Sequence, residues 1–320
     1  AFTDGLSAGE IEQKWTDAAI AAIEAIDIIG FDLPDLYLDT VPVPNDPTLK
    51  VLYNNPQNDE LIMRRIAGAT TGENGLESSH AIPTRYGNGY CNPTQNLVDA
   101  FPMSNGYPIS DLGNSGYDED NMYYDRDPRF YQTILYNGAT FGYDFVETNE
   151  GGKDLAGGSA LANVSNSTRT GYYLRKGLSE TVNLASGQEV PDYHYAAMFR
   201  KVEMLLNFAE AANEAVGPTT PIGGITAEEA LTEVRRRAKI ADGSGIDPYL
   251  SSQAGSVADF RQLIKNERRI ELAFEGQRFF DLRRWKDPLG IPVYKINIVK
   301  EGFESYTYER EKLFDLASVS

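Results

Sequence analysis

Glu267, Glu271 and Glu275 fall at i, i+4 and i+8 in the stretch NERRIELAFEGQRFFDLRRWK, residues 266–286. Helix neighbours lie three and four residues apart, so a helix here would place the three carboxylates along one face. A glycosidase needs two carboxylates facing each other across a scissile bond. Three in a row point the same way, and arginines flank each of them, so structural pairing is the better reading. The same stretch interleaves Arg268, Arg269, Arg278, Asp281, Arg283 and Arg284 with Ile270, Leu272, Phe274, Phe279, Phe280, Leu282 and Trp285. A surface helix would keep charged and apolar residues on separate faces. Interleaving therefore predicts buried, paired charges, with Arg268–Glu271, Glu275–Arg278 and Arg278–Asp281 as the local pairs and with Glu271 and Arg278 mostly buried.

The remaining candidates for chemistry are sparser. Asp111, Asn114, Asp118, Glu119, Asp120, Asn121, Asp125 and Asp127 crowd one oxygen-rich loop. Their spacing matches no calcium loop, and turn-forming Asp and Asn account for them more simply. His80 and His194 stand apart from each other, without metal-ligand spacing. The single cysteine, Cys91, excludes an intramolecular disulfide and reads as a small buried residue. Neither a nucleophile elbow nor a glycine-rich phosphate loop is present, and no cofactor is expected.

One loop offers binding chemistry instead. The run AGATTGENGLESSHAIPTRYGNGY (67–90) contains His80 and then brings Arg85, Tyr86, Asn88 and Tyr90 within six positions, spaced by Gly87 and Gly89. Tyrosine rings can pack on the C–H face of a pyranose, while Asn and Arg supply directed hydrogen bonds to hydroxyls. Glycines give such a loop access to positive φ. The same composition also describes an ordinary Gly-rich turn with its tyrosines folded onto the protein. By residue type alone that is the plainer reading.

Four helical segments would carry these residues. Ser7–Ile29 opens with a capping box, Ser7 and Glu10, repeats apolar residues from Ile11 and Trp15 through Ile26, and ends at Gly30. Tyr195–Val216 and Thr226–Ala238 form an antiparallel helical hairpin, its small residues Ala209, Ala212 and Ala215 spaced for close approach as in tetratricopeptide stacks. Ser256–Trp285 is the longest, with Gly276 as a point of interruption. Between the first two blocks, residues 42–192 are rich in Gly, Pro, Asn, Asp and Tyr, with strand-like runs at Glu60–Ile66, Tyr131–Tyr136 and Gly171–Lys176. Gly151–Asn166 is the most linker-like part. The expected fold is mainly α: a tetratricopeptide-like helical scaffold with a long loop-rich region and a few short strands, where binding surfaces usually reside.

ERRIELAFEGQRFFDLRRW resembles the C-terminal signature of the SusD-like (RagB/SusD) outer-membrane nutrient-binding lipoproteins. Further segments match the family in order: the Trp15 helix running into GFDLPDLY (30–37), NDELIM (58–63), PTQNLVDAF (93–101), DRDPRFYQTILYNG (125–138), TGYYLRK (170–176) and FRKVEMLLNFAEAANE (199–214). The resemblance implies a single SusD-like domain over 1–320, the C-terminal portion of a longer protein whose lipid-anchored N-terminal helical repeats precede it. No closing segment of the family is recognised after Lys286. It also implies non-catalytic binding of oligosaccharide or glycan at the cell surface, and delivery to a TonB-dependent outer-membrane transporter. In the characterised starch-binding relative, aromatic contacts come from the region between the equivalents of NDELIM and PTQNLVDAF, which is where His80, Arg85, Tyr86, Asn88 and Tyr90 lie. A glycoside hydrolase on a helical scaffold, and a peptide-binding or protein-scaffold member, remain the alternatives.

Bulk charge bears on charged partners and says nothing about neutral ligands such as sugars. Asp and Glu number 47 against 29 Lys and Arg, a formal charge of −18. Such a surface repels nucleic acid and anionic lipid heads; membrane attachment through an N-terminal lipid anchor is what the resemblance implies. The 19 tyrosines suit a surface that stacks on flat neutral faces, although most are expected to be shared between core and loops. The longest apolar-looking stretch, 18–30, is broken by Glu24 and Asp27 and is too short to span a bilayer.

Overall fold

The computed structural model describes residues 5–34, 58–70, 75–142, 144–303 and 305–315. The Asp35–Tyr37 end of the GFDLPDLY motif and residues 71–74 of the binding-loop region lie outside them. The first helix, α1 (Ala8–Ile29), starts where expected: Ser7 Oγ accepts from the Glu10 amide and the Glu10 carboxylate accepts from the Ser7 amide at 2.8 Å. Gly30 ends it at φ 89°. Next come β1 (Leu61–Thr70), the short α2 (Leu76–His80), α3 (Gln95–Val98), α4 (Pro128–Thr133), β2 (Ile134–Leu135), β3 (Thr140–Phe141), β4 (Asp144–Phe145) and β5 (Tyr173–Leu174). A strand, β6 (Asp192–Arg200), runs directly into α5 (Lys201–Val216), followed by α6 (Ala227–Arg237), α7 (Pro248–Gln253), α8 (Val257–Glu271) and α9 (Gln277–Arg284). The described chain closes with β7 (Pro292–Gly302) and β8 (Ser305–Asp315).

Helices carry the main core. The i, i+4 face of α1 (Ala19, Ala22, Ile23, Ile26) packs on Val202, Leu205, Ala209 and Ala212 of α5, which in turn packs on α6 and α8. Of the three alanines spaced for close approach, Ala209 and Ala212 are fully buried in this core and Ala215 is half-buried. All strands among the described residues form two-stranded antiparallel ladders: β1–β6, β2–β5, β3–β4 and β7–β8. A second core gathers Phe101, Tyr123, Phe130 and Tyr172 around Ile270 and Ile296. A third, with Ile82, Leu135, Phe141, Val146 and Tyr173, lies in the loop-rich region.

Several local expectations need correction. Tyr131–Tyr136 is not a strand throughout. Asp127 caps α4 by accepting from the Arg129 amide, Pro128 fits the first helical turn, and only Ile134–Leu135 are extended. The hairpin's first helix begins at Lys201 rather than Tyr195, because Asp192–Arg200 pairs with β1 instead. After Lys286, β7 and β8 form eleven-residue strands, a hairpin the sequence pattern did not announce. Gly151–Asn166 is no linker: Asp154 and Ala162 within it are buried, and the Asp154 backbone oxygen accepts from the Tyr173 hydroxyl at 2.6 Å.

The long C-terminal helix is broken between Leu272 and Gly276, where Phe274 (φ 64°) and Gly276 (φ 82°) take left-handed conformations. The break separates Glu275 from Arg278; Arg268–Glu271 and Arg278–Asp281 lie within single helices, and there other partners take Glu271, Arg268 and Asp281. Glu271 instead meets Arg129 at 3.0 Å, Arg200 at 3.1 Å and Arg237 at 2.5 Å. Glu275, turned away from the helix line, pairs with Lys176 at 2.6 Å and Arg200 at 2.8 Å. Glu267 takes Arg129 and Arg235, while Arg268 reaches Asp281 at 3.0 Å. Glu60 completes the cluster against Arg200 and Arg237. Burial alone would raise the Glu271 pKa, but Arg237, Arg200, Arg129 and Lys176 together hold it well below the usual carboxylate value. Glu271 is buried as expected. Arg278 is half-buried and forms no ion pair among the described residues; its guanidinium lies 5.9 Å from the Trp285 ring centroid.

Candidate functional site

The loop 86–90 is held against α2 by its own backbone. The Asn88 and Tyr90 amides donate to the Ser78 and Ser79 carbonyls, each at 3.0 Å, and the Gly89 amide donates to Ala81 at 3.1 Å. Side chains then alternate: Tyr86, Asn88 and Tyr90 face solvent, while Gly87 and Gly89 are buried between them. A Cβ at Gly87 would sit 2.2 Å from the Ala81 carbonyl oxygen, and one at Gly89 would sit 2.4 Å from the Asn166 carbonyl oxygen. Only glycine allows that approach. Gly89 has positive φ, as the sequence predicted for a glycine, but the other left-handed residue of the loop is Tyr86 itself, at φ 62°.

Tyr86 is 53% and Tyr90 68% exposed. The rings are therefore on the surface rather than folded into the core. Asn88 is exposed as well, and its amide nitrogen donates to the Ser78 carbonyl at 2.8 Å, which leaves its side-chain oxygen for another donor. Arg85 sits differently. Its guanidinium is half-buried, donates to the Glu180 and Val182 carbonyls at 2.7 and 2.8 Å, and lies 5.5 Å from the Phe141 ring centroid. It braces the loop from beneath. His80, at the end of α2, is half-buried; its Nδ1 has no hydrogen-bond partner, and burial pushes its pKa down against the opposing pull of Glu77. The described residues of the 67–90 run thus bring two exposed rings and one amide together, with Arg85 below them and His80 at the helix end.

Two acids that sequence reasoning passed over, the buried Asp154 and the half-buried Glu180, fix this loop. Asp154 accepts from the Thr84 hydroxyl at 2.5 Å and from the Glu147 amide at 3.0 Å. Burial raises its pKa, and those donors oppose the rise. Glu180 accepts from the Gly142 amide at 2.9 Å and pairs with Arg175 at 2.5 Å. Asp154 hides in a Gly-rich run and Glu180 follows a turn, so neither carries a signal in its neighbours' spacing.

Chemically, the surface offers flat apolar faces with a directed amide between them. Glu267 and Glu271 of α8 are bound to buried arginines. The acidic loop is consumed in turns: Asp111 accepts from Asn114, Asp118 from Asn121, and Asp125 from Ser104. Among the described residues no group of three or more His, Cys, Asp or Glu could hold a metal ion. No helix described is long and apolar enough to cross a membrane.

The model of the SusD family matches residues 59–316. The chain belongs to the SusD family. The match includes the β7–β8 hairpin, so the segment after Lys286 lies within the family region. A SusD-like protein, P2, from Formosa agariphila is 33% identical over 126 residues, covering 39% of this chain and 22% of that protein. The fold is shared with a SusD-like protein of Bacteroides fragilis at TM-score 0.69 and 23% identity, over 96% of this chain and 57% of the other. A SusD-like carbohydrate-binding protein of the same organism superposes at TM-score 0.68 and 23% identity, over 89% of this chain and 52% of that one. This SusD-family chain therefore spans little more than half the length of those solved relatives.

Proposed function

We propose that this SusD-family chain is a non-catalytic binding unit of the cell surface, one that captures oligosaccharide and delivers it to a TonB-dependent outer-membrane transporter. It acts as a single SusD-like unit whose membrane attachment is a lipid anchor. The carrying observation is the pair of exposed rings, Tyr86 and Tyr90, presented by a loop whose backbone is tied to α2 and closed by glycines that accept no side chain. A stacking platform fixed before the ligand arrives loses little conformational entropy on binding. Asn88 between the rings gives the polar contact that orients a sugar. Membership of the SusD family, and the carbohydrate-binding description carried by one Bacteroides fragilis relative, support the ligand class.

Affinity-gel electrophoresis against starch, laminarin, xylan and pectin tests the reading, followed by calorimetry with oligosaccharides from the retarding polymer. Tyr86→Ala and Tyr90→Ala are each expected to weaken binding roughly thirtyfold, as truncated aromatic hot spots do. Melting should stay unchanged, because both rings are on the surface. Undiminished affinity in both variants and in the double variant would remove this surface from consideration. Release of reducing ends from a bound glycan would overturn the non-catalytic assignment.

A further inference from the structure

The β3–β4 hairpin lies against the same loop by two separate ties. Near its tip, Gly142 donates its amide to the Glu180 side chain, while Arg85 donates to the Glu180 carbonyl; a Cβ at Gly142 would come 2.6 Å from Arg85 Nη1. On the outgoing leg, Glu147 donates its amide to Asp154, the carboxylate that also receives Thr84. Residues 142 and 147 are thus held beside 85 and 84. Between them Val146 turns into the core, and Phe145 turns out, 59% exposed. An exposed phenylalanine in a two-residue strand contributes little to the core, yet both ends of its segment are fixed. Next to it, the Asp144 carboxylate accepts from the Phe145 amide at 2.8 Å and pairs with Lys153 at 2.6 Å, which puts a carboxylate and an ammonium beside the Phe145 backbone. The Lys153 hydrogen bond holds the Asp144 carboxyl below the usual carboxylate range, against a smaller opposing effect of burial.

From this placement we infer that Phe145, with Asp144 and Lys153, forms a second stacking subsite beside Tyr86, so that the ligand is a chain of sugar units lying across Phe145, Tyr86 and Tyr90. The inference rests on the glycan-binding reading of the loop and adds ligand length to it. A ring with both an acceptor and a donor beside its backbone suits a pyranose, whose hydroxyls need both at the edge of its apolar face. A chain-like ligand would touch the tyrosines with its first units and Phe145 with a later one. Binding should therefore tighten with chain length until Phe145 is covered.

Calorimetry with malto-, laminari- and xylo-oligosaccharides of two to seven units separates the outcomes. For the series that binds, Phe145→Ala is expected to erase the gain from the longer members, a loss of roughly tenfold, and to leave the shortest binder unchanged. Phe145→Trp, which keeps a flat face, should restore the gain. Tyr90→Ala should weaken every length. If Phe145→Ala leaves all lengths as they were while Tyr90→Ala weakens them, the second subsite is wrong and the loop reading stands. Equal loss at every length in Phe145→Ala also overturns the second subsite, since the ring would then belong to the first. If neither variant changes binding, or none of the series binds, the loop reading falls and the subsite with it.

Discussion

Replacing Glu271 by Gln tests the central claim about the signature motif, that its charges are structural. The carboxylate faces Arg129, Arg200 and Arg237 within 3.1 Å, and all four side chains are almost wholly buried. Each arginine keeps another acid: Arg129 has Asp127 and Glu267, Arg200 has Glu60 and Glu275, and Arg237 has Glu60. The variant therefore does not strand a lone ion. It places a neutral amide, with donors of its own, among guanidinium donors and removes the carboxylate that three buried arginines share. Breaking a buried pair in this way costs about 3–5 kcal/mol. Unfolding entropy of ~2.1 cal/mol/K per residue over 320 residues gives about 0.7 kcal/mol/K. The melting temperature should then drop by about 4–7 °C. Differential scanning calorimetry of wild type and Glu271→Gln measures it. Arg310→Ala serves as the comparison, because the Arg310–Asp99 pair at 2.6 Å is part-exposed and should be worth less than about 1 kcal/mol. A Glu271→Gln protein that melts within a degree of wild type, or no lower than Arg310→Ala, refutes the argument from buried charge.

Acid should act through the same group. The folded-state pKa of Glu271 is depressed below the ordinary 4.5, so its contribution is complete above that value and is lost as pH falls below it; urea midpoints at pH 7, 5 and 3 should fall mainly over the last interval in wild type and much less in Glu271→Gln. Gly87→Ala places a methyl group 2.2 Å from the Ala81 carbonyl oxygen, which must push the loop off α2. A stability loss of about 1–3 kcal/mol is expected together with loss of oligosaccharide binding, whereas an alanine variant with unaltered melting and affinity would show that the loop is not held as described.

Much of the helical frame could be read from sequence because its signals are local. Capping at Ser7 and Glu10, the termination at Gly30 and the alanine spacing of α5 each act within a few residues, and each appears where expected. The interleaved charges of residues 266–286 correctly implied burial. They misled about partners for two reasons: within α8 Glu271 and Arg268 are taken by side chains from other elements, and the turn at 272–276 swings Glu275 toward Arg200. Arg200 lies 75 residues earlier in the chain, and no periodicity links the two. The β7–β8 hairpin escaped notice for a related reason. Its strand β8 carries Glu309, Arg310, Glu311 and Lys312 in succession, so alternation of apolar and polar residues fades where the edge faces water. At the loop, residue types indicated where rings could stack, but not that Arg85 serves beneath the surface instead of on it.

The segment TGYYLRK explains how a signature remote from the loop can still position it. Lys176 reaches the Glu271 carbonyl at 2.8 Å and the Glu275 carboxylate, while its neighbour Arg175 pairs with Glu180. Glu180 in turn offers its side chain to Gly142 and its carbonyl to Arg85, the residue preceding Tyr86. Tyr173, two residues before Arg175, closes the other side: its ring backs Gly89 and its hydroxyl donates to Asp154. Buried ion pairs are directional and tolerate little displacement, so a chain of them transmits position from α8 to the loop. Charge buried at such cost adds little net stability compared with apolar packing of the same volume. Its contribution here is geometric: one segment of seven residues couples the ionic core to the two surface tyrosines. The signature helix therefore matters to the binding surface without containing any of it.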